Sequence, residues 1–244
     1  MHLAEIRTAI KELQVGLSGY PAKPTATECA ASYQVLQYTH DTTDSLLDAF
    51  QSLRKLRNAV GTPTDEEQDL LRAMLVFASA GLDAVAKQLI RDCLLPLVDK
   101  SETVREAFQK YVEKRIRGRT DEAEGVSVFD PKFLATALLA KDATTHLVDV
   151  LAADLTAGSL QSVDELKRVA VFLAADPKAI EGKRESLKDA FHARNQIIHE
   201  MDVDFTMRNR NRFSRTKASM VKRTEALLRA SSELLVAVDG CLSS

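Results

Sequence analysis

A chain of 244 residues with 45% hydrophobic composition is long enough to bury a sizeable core, and its formal net charge of −2 excludes a globally basic nucleic-acid binder while leaving local basic patches open. Three cysteines, Cys29, Cys93 and Cys241, lie far apart without a CxxC spacing, which supports neither a disulfide framework nor a zinc site and suits a reducing cytosol. The start MHLAEIRTAIKELQVGL lacks the cationic beginning and apolar run of a signal peptide, and the apolar region Met74 to Leu97 is interrupted by Asp83, Lys87, Arg91 and Asp92, so a cytoplasmic chain without a membrane span is expected.

Aromatic residues make up only 5% of the chain, with no tryptophan, while Ala and Leu are abundant; the expected class is all-α, with a core of small and medium aliphatic side chains. Gly and Pro fall between periodic segments and punctuate the helices. The pattern predicts a short helix over about Leu3 to Gln14 and a second over about Ala26 to Asn58, ended by GTPT. Thr64 and Glu67 form a capping box that opens a long helix to about Leu95, where Pro96 intrudes. A helix from about Thr103 to Arg117 runs into the acidic loop GRTDEAEG. Asp130 and Pro131 then start a helix to about Asp154. Ser162 and Glu165 cap Val163 to Ala174, and Asp176 with Pro177 starts the helix that carries the chemistry discussed next. A last helix is expected from about Arg215 to Val238, stopping at Gly240. Residues 1–60 read as an N-terminal helical extension and residues 61–244 as the main helical domain.

The stretch FHARNQIIHEMDVDF, Phe191 to Phe205, gathers an arginine, an asparagine and two of the chain's five histidines within eight residues. Arg194 and His199 are five apart, about 500° around a helix, which leaves them some 140° from a common face unless the helix ends or loosens near Ile198. Ile197 and Ile198 are the apolar residues that would hold the segment on the core. The chemistry open to these side chains is metal-free RNA cleavage. An arginine offers a fork of donors to a phosphate oxygen, a histidine titrates near neutrality and can move a proton, and Asn195 can orient either. One chain supplies a single strong acid-base group; two chains across a two-fold axis would supply a pair.

The segment Arg194-Asn195-Gln196-Ile197-Ile198-His199, followed by Glu200, Met201 and Asp202, resembles the signature of HEPN domains. That resemblance implies a HEPN-like helical bundle over roughly residues 65–240, and a metal-independent, cofactor-free endoribonuclease. It would act as a homodimer in a toxin or anti-phage defence system, with an antitoxin or other defence partner. It implies catalytic roles for Arg194 and His199, supported by Asn195. HEPN members that have lost activity bind RNA or protein, so a non-catalytic binding module is the alternative, and a structural helical adaptor is a third reading.

Downstream, MRNRNRFSRTKASMVKR carries Arg208, Arg210, Arg212, Arg215 and Lys217 with no acidic residue between Phe205 and Thr224. It is expected to track an RNA backbone, with Phe213 available for stacking, or else to be a solvated helix start. Asp83, in the most apolar helix, needs a partner: either Lys87 one turn on, or Arg194, which it would orient from a neighbouring helix. His192 and His199 are too far apart in sequence for ligands one turn apart, and no metal site is expected.

Overall fold

In the computed structural model, residues 17, 22–117 and 131–244 are described. The expected helix Leu3 to Gln14, the acidic loop and the cap at Asp130 lie outside the described residues. Everything regular among the described residues is helical apart from one isolated antiparallel bridge, Val203 to Arg212, so the chain is all-α.

A 3-10 turn, Thr27–Cys29, leads into α1 (Ala30–Leu56). The backbone N–H groups of Thr25 and Ala26, just ahead of it, donate to Asp239 Oδ1 at 2.8 and 2.7 Å. After α1 the chain turns through Asn58 (φ 45°) and Gly61 (φ 87°). The capping box then forms as a reciprocal pair: Thr64 N–H donates to Glu67 Oε2 at 2.9 Å, and Glu67 N–H to Thr64 Oγ1 at 3.4 Å. It starts α2 (Asp65–Lys100), whose first turn holds Asp65, Glu66 and Glu67 against the positive end of the helix dipole.

Helix α2 does not stop at Leu95. Pro96 lies inside it, removing one backbone donor, and the helix continues because Leu97 and Val98 beyond the proline are buried at 0 and 4% exposure. By length and apolar composition α2 would suffice to cross a membrane despite its charged interruptions; 56% of its most apolar window is buried inside the protein.

Helix α3 (Glu102–Arg117) follows. The single helix expected from Asp130 to Asp154 is instead two, α4 (Pro131–Leu139) and α5 (Ala143–Thr156). Asp142 breaks it: with extended backbone (φ −129°, ψ 104°) its carboxylate accepts the N–H groups of Thr144 and Thr145 at 3.0 and 3.1 Å, an arrangement a helical Asp142 could not make. Ser162 caps α6 (Val163–Phe172), and Glu165 reaches back to Gln161 N–H at 2.7 Å. Asp176 caps the five-residue α7 (Pro177–Glu181), after which the chain restarts as α8 (Arg184–Glu200). The last helix, α9 (Lys217–Ser243), runs through Gly240, because the roughly 1 kcal/mol cost of a helical glycine is offset where Val238 and Leu242 on either side are buried.

The chain divides into two compact units, with boundaries inside α1, α2 and α9 and in the turn between α7 and α8. The described residues of the first come mainly from Gln34–Leu82 and Lys183–Ser232. Its core includes Leu36, Leu47, Leu71, Leu75, Phe191 and Leu227. There α1 and α2 approach so closely that a Cβ on Gly81 would stand 2.2 Å from Thr39 Cγ2. The described residues of the second unit come from Lys23–Tyr33, Asp83–Gly182 and Glu233–Ser244, built around Val85, Leu89, Leu94, Leu97, Leu151 and Leu166.

Candidate functional site

The RNQIIH motif occupies the last two turns of α8. Leu187, Ala190, Phe191 and Ala193 form the buried stripe that fixes this helix on the first unit, and Arg194 follows at its edge, half-buried. Anchoring therefore comes from upstream of the motif rather than from Ile197 and Ile198, which are half-buried and 40% exposed respectively. Arg194 Nη1 donates to Asn195 Oδ1 at 2.8 Å, and its Nε is enclosed without a hydrogen-bond partner among the described residues. The guanidinium is thus steered by its neighbour and keeps an unspent, enclosed donor at Nε. His199 and His192 are exposed.

The loosening expected near Ile198 is absent. Helix α8 stays intact to Glu200, so Arg194 and His199 remain about 140° apart around it and do not meet within one chain. The helix ends instead through two consecutive left-handed residues, Met201 (φ 51°) and Asp202 (φ 60°), and Asp202 N–H reaches back to Gln196 carbonyl oxygen at 3.0 Å. Left-handed backbone costs a non-glycine residue on the order of 1–2 kcal/mol, so something must hold it.

What holds it is the side chain of Asp202, which is fully buried. It accepts from Arg72 Nε at 2.7 Å and from Arg215 Nε at 3.0 Å, with Arg215 Nη2 on its other oxygen. Both arginines are themselves buried, at 3 and 6% exposure. Arg72 also bonds Asp69 Oδ1 at 2.9 Å and the Phe213 carbonyl at 3.0 Å; Arg215 bonds Gln196 Oε1 at 3.0 Å, and its backbone N–H donates to Gln68 Oε1. A buried carboxylate flanked by two guanidiniums, each with a further oxygen acceptor, is the arrangement that keeps buried charge tolerable.

This network corrects the reading of the basic stretch. Arg215 is an internal counter-ion of Asp202 rather than an RNA-facing cation, and its guanidinium covers the Phe213 ring at 5.3 Å. Arg212 pairs with Asp69 Oδ1 at 2.7 Å, whose hydrogen bond raises the arginine's pKa. Arg223 binds Asp189 through two bonds, 2.8 and 3.0 Å. The stretch contains no acid, but its counter-charges arrive from elsewhere in the chain. Arg208, Arg210, Lys217 and Lys222 are the members that remain exposed.

Asp83 takes the simpler of its two expected pairings. Its carboxylate lies 2.8 Å from Lys87 Nζ and accepts Leu160 N–H at 2.8 Å, while the orientation of Arg194 comes from Asn195. No group of three or more His, Cys, Asp or Glu side chains able to hold a metal occurs among the described residues. A shallow cleft of the second unit, lined by Asp154, Gly158, Ser159, Glu165 and Arg168, contains none of the motif residues. Arg72 is the residue that sequence reasoning passed over. The signal was there, since an arginine between Leu71 and Met74 in the most apolar helix needs a buried partner as surely as Asp83 does.

The chain matches no protein-family model, no curated protein and no solved structure.

Proposed function

We propose that the protein is a metal-independent endoribonuclease of the HEPN type, acting as a homodimer in a toxin or anti-phage role and restrained by an antitoxin or other partner protein. The observation that carries this reading is the state of Arg194: half-buried, steered by Asn195, with an enclosed Nε that has no partner among the described residues, five residues before an exposed histidine. In this reading the guanidinium stabilises the charge that develops on the phosphate as the ribose 2′-hydroxyl attacks it. His199 takes that hydroxyl proton or protonates the departing 5′-oxygen. Because the two side chains diverge around one helix, a second copy has to supply the partner group.

The test is incubation of the protein with single-stranded and structured RNA in EDTA, alongside Arg194→Ala and His199→Ala. Cleavage to 2′,3′-cyclic phosphate ends, reduced about 10²-fold or more by either substitution, is the expected outcome. Cleavage indifferent to both substitutions sinks the reading. A second reading, an RNA-binding module without catalysis, is favoured by the intact helix between Arg194 and His199, and predicts binding with no cleavage.

A further inference from the structure

Residues 203–212, between the end of α8 and Arg215, form a closed turn whose root and tip differ in character. At the root, Val203 bridges Arg212, Asp204 N–H donates to Asn211 carbonyl oxygen at 2.8 Å, and Phe213 N–H donates to that of Asp202 at 2.8 Å. The Arg72 guanidinium holds the Phe213 carbonyl from the buried network. At the tip, Phe205 and Met207 are 62 and 54% exposed, and Thr206, Arg208, Asn209 and Arg210 are exposed with them. The turn's only carboxylate, Asp204, is engaged within it, accepting Thr206 N–H at 2.9 Å and Thr206 Oγ1 at 2.5 Å. Neither Arg208 nor Arg210 has an ion-pair partner among the described residues, unlike Arg212, Arg215 and Arg223.

A firmly rooted turn thus presents an uncovered aromatic ring beside two uncompensated cations. The ligand that matches both features is anionic along its backbone and flat along its side, which describes an unpaired polynucleotide. A duplex would meet the cations but hide its base faces from the ring. We infer that this turn is a single-strand contact, in which Phe205 stacks on an unpaired base while Arg208 and Arg210 hold flanking phosphates. The inference rests on the ribonuclease reading for its choice of RNA, and it makes single-stranded RNA the substrate class. It moves stacking from Phe213, which Arg215 covers, to Phe205.

The probe is a labelled single-stranded 2′-O-methyl RNA, which lacks the attacking hydroxyl, and its duplex, followed by fluorescence anisotropy with the full chain. Wild type is expected to bind the single strand more tightly. Phe205→Ala should weaken single-strand binding about tenfold and leave duplex binding unchanged, with Phe205→Tyr retaining affinity. Arg208→Ala with Arg210→Ala should lower the slope of log affinity against log salt by roughly 1.4 for single strands. Unaltered single-strand affinity in Phe205→Ala, or an equal loss on the duplex, overturns the inference. So does a change in sedimentation of these variants without a change in RNA affinity, which would make the turn a protein interface. Since the probe cannot be cut, tight binding beside failure to cleave ordinary RNA would remove the ribonuclease reading and leave this one standing.

Discussion

A carboxylate with no exposure, such as Asp202, persists only beside compensating cations, and Arg72 and Arg215 supply them from 130 and 13 residues away in sequence. Asp202→Ala leaves two guanidiniums buried without their anion and should lower unfolding stability by about 3–5 kcal/mol, read as a fall in the urea midpoint. Asp202→Asn keeps the shape and the tolerance for left-handed backbone but not the charge. It should lose much of the same stability, and an Asn variant as stable as wild type would contradict the ionic account. Gly81 tests packing in the same way: an added methyl 2.2 Å from Thr39 Cγ2 should cost roughly 1–3 kcal/mol, partly recovered when Thr39→Ala accompanies Gly81→Ala. Arg194, Asn195 and His199 stand out in the sequence as candidates by residue type and spacing alone. The role of Asp202 is less legible: the apolar setting of Arg72 signals a buried partner, but nothing local says that this partner stands 130 positions away.

At the level of single elements, several helix starts were legible but those of α5 and α8 were not, and the stop at Arg117 was legible where those set at Leu95 and Gly240 were not. Thr64, Ser162 and Asp176 cap where their side chains say they should, because an N-cap is a hydrogen bond between near neighbours. Pro96 and Gly240 do not stop their helices, because burial of the residues beyond them outweighs the local preference for a break. Thr64→Ala is expected to cost about 1 kcal/mol in thermal or urea unfolding. The exposed clamp between α8 and α9 gives a pH signature. The Arg223 guanidinium bonded to Asp189 holds its carboxyl below the ordinary aspartate value. A carboxyl depressed in the folded state contributes stability that is present above the unfolded pKa of about 3.9 and is lost as pH falls through the lower folded value. Wild type should therefore lose more stability than Asp189→Asn between pH 5 and the acid end of the curve. Parallel pH curves for the two proteins would show the clamp to be energetically silent.

For the molecule as a whole, a formal charge of −2 with 33 basic and 35 acidic residues offers no general attraction for RNA, so the contact proposed above has to be local. Much of the apparent local excess is already neutralised by Asp69, Asp189 and Asp202, which leaves Arg208 and Arg210 on the turn and Lys217 and Lys222 on α9 as its exposed cations. The same economy applies to catalysis in the proposed function. One chain holds one Arg194 and one His199 on diverging faces of an unbroken helix, so a complete site needs groups from two copies, and an exchange experiment can detect it. Arg194→Ala protein retains the histidine and His199→Ala protein retains the arginine. Mixed and allowed to exchange subunits, half of the dimers become heterodimers, each able to join the arginine of one copy to the histidine of the other. Two nearly inactive preparations should then recover together to roughly a quarter of wild-type cleavage, since one of two composite sites is restored in half the dimers. If each chain cleaved with its own Arg194 and His199, or acted as a monomer, no mixture would contain an intact pair and activity would stay at the level of the separate variants.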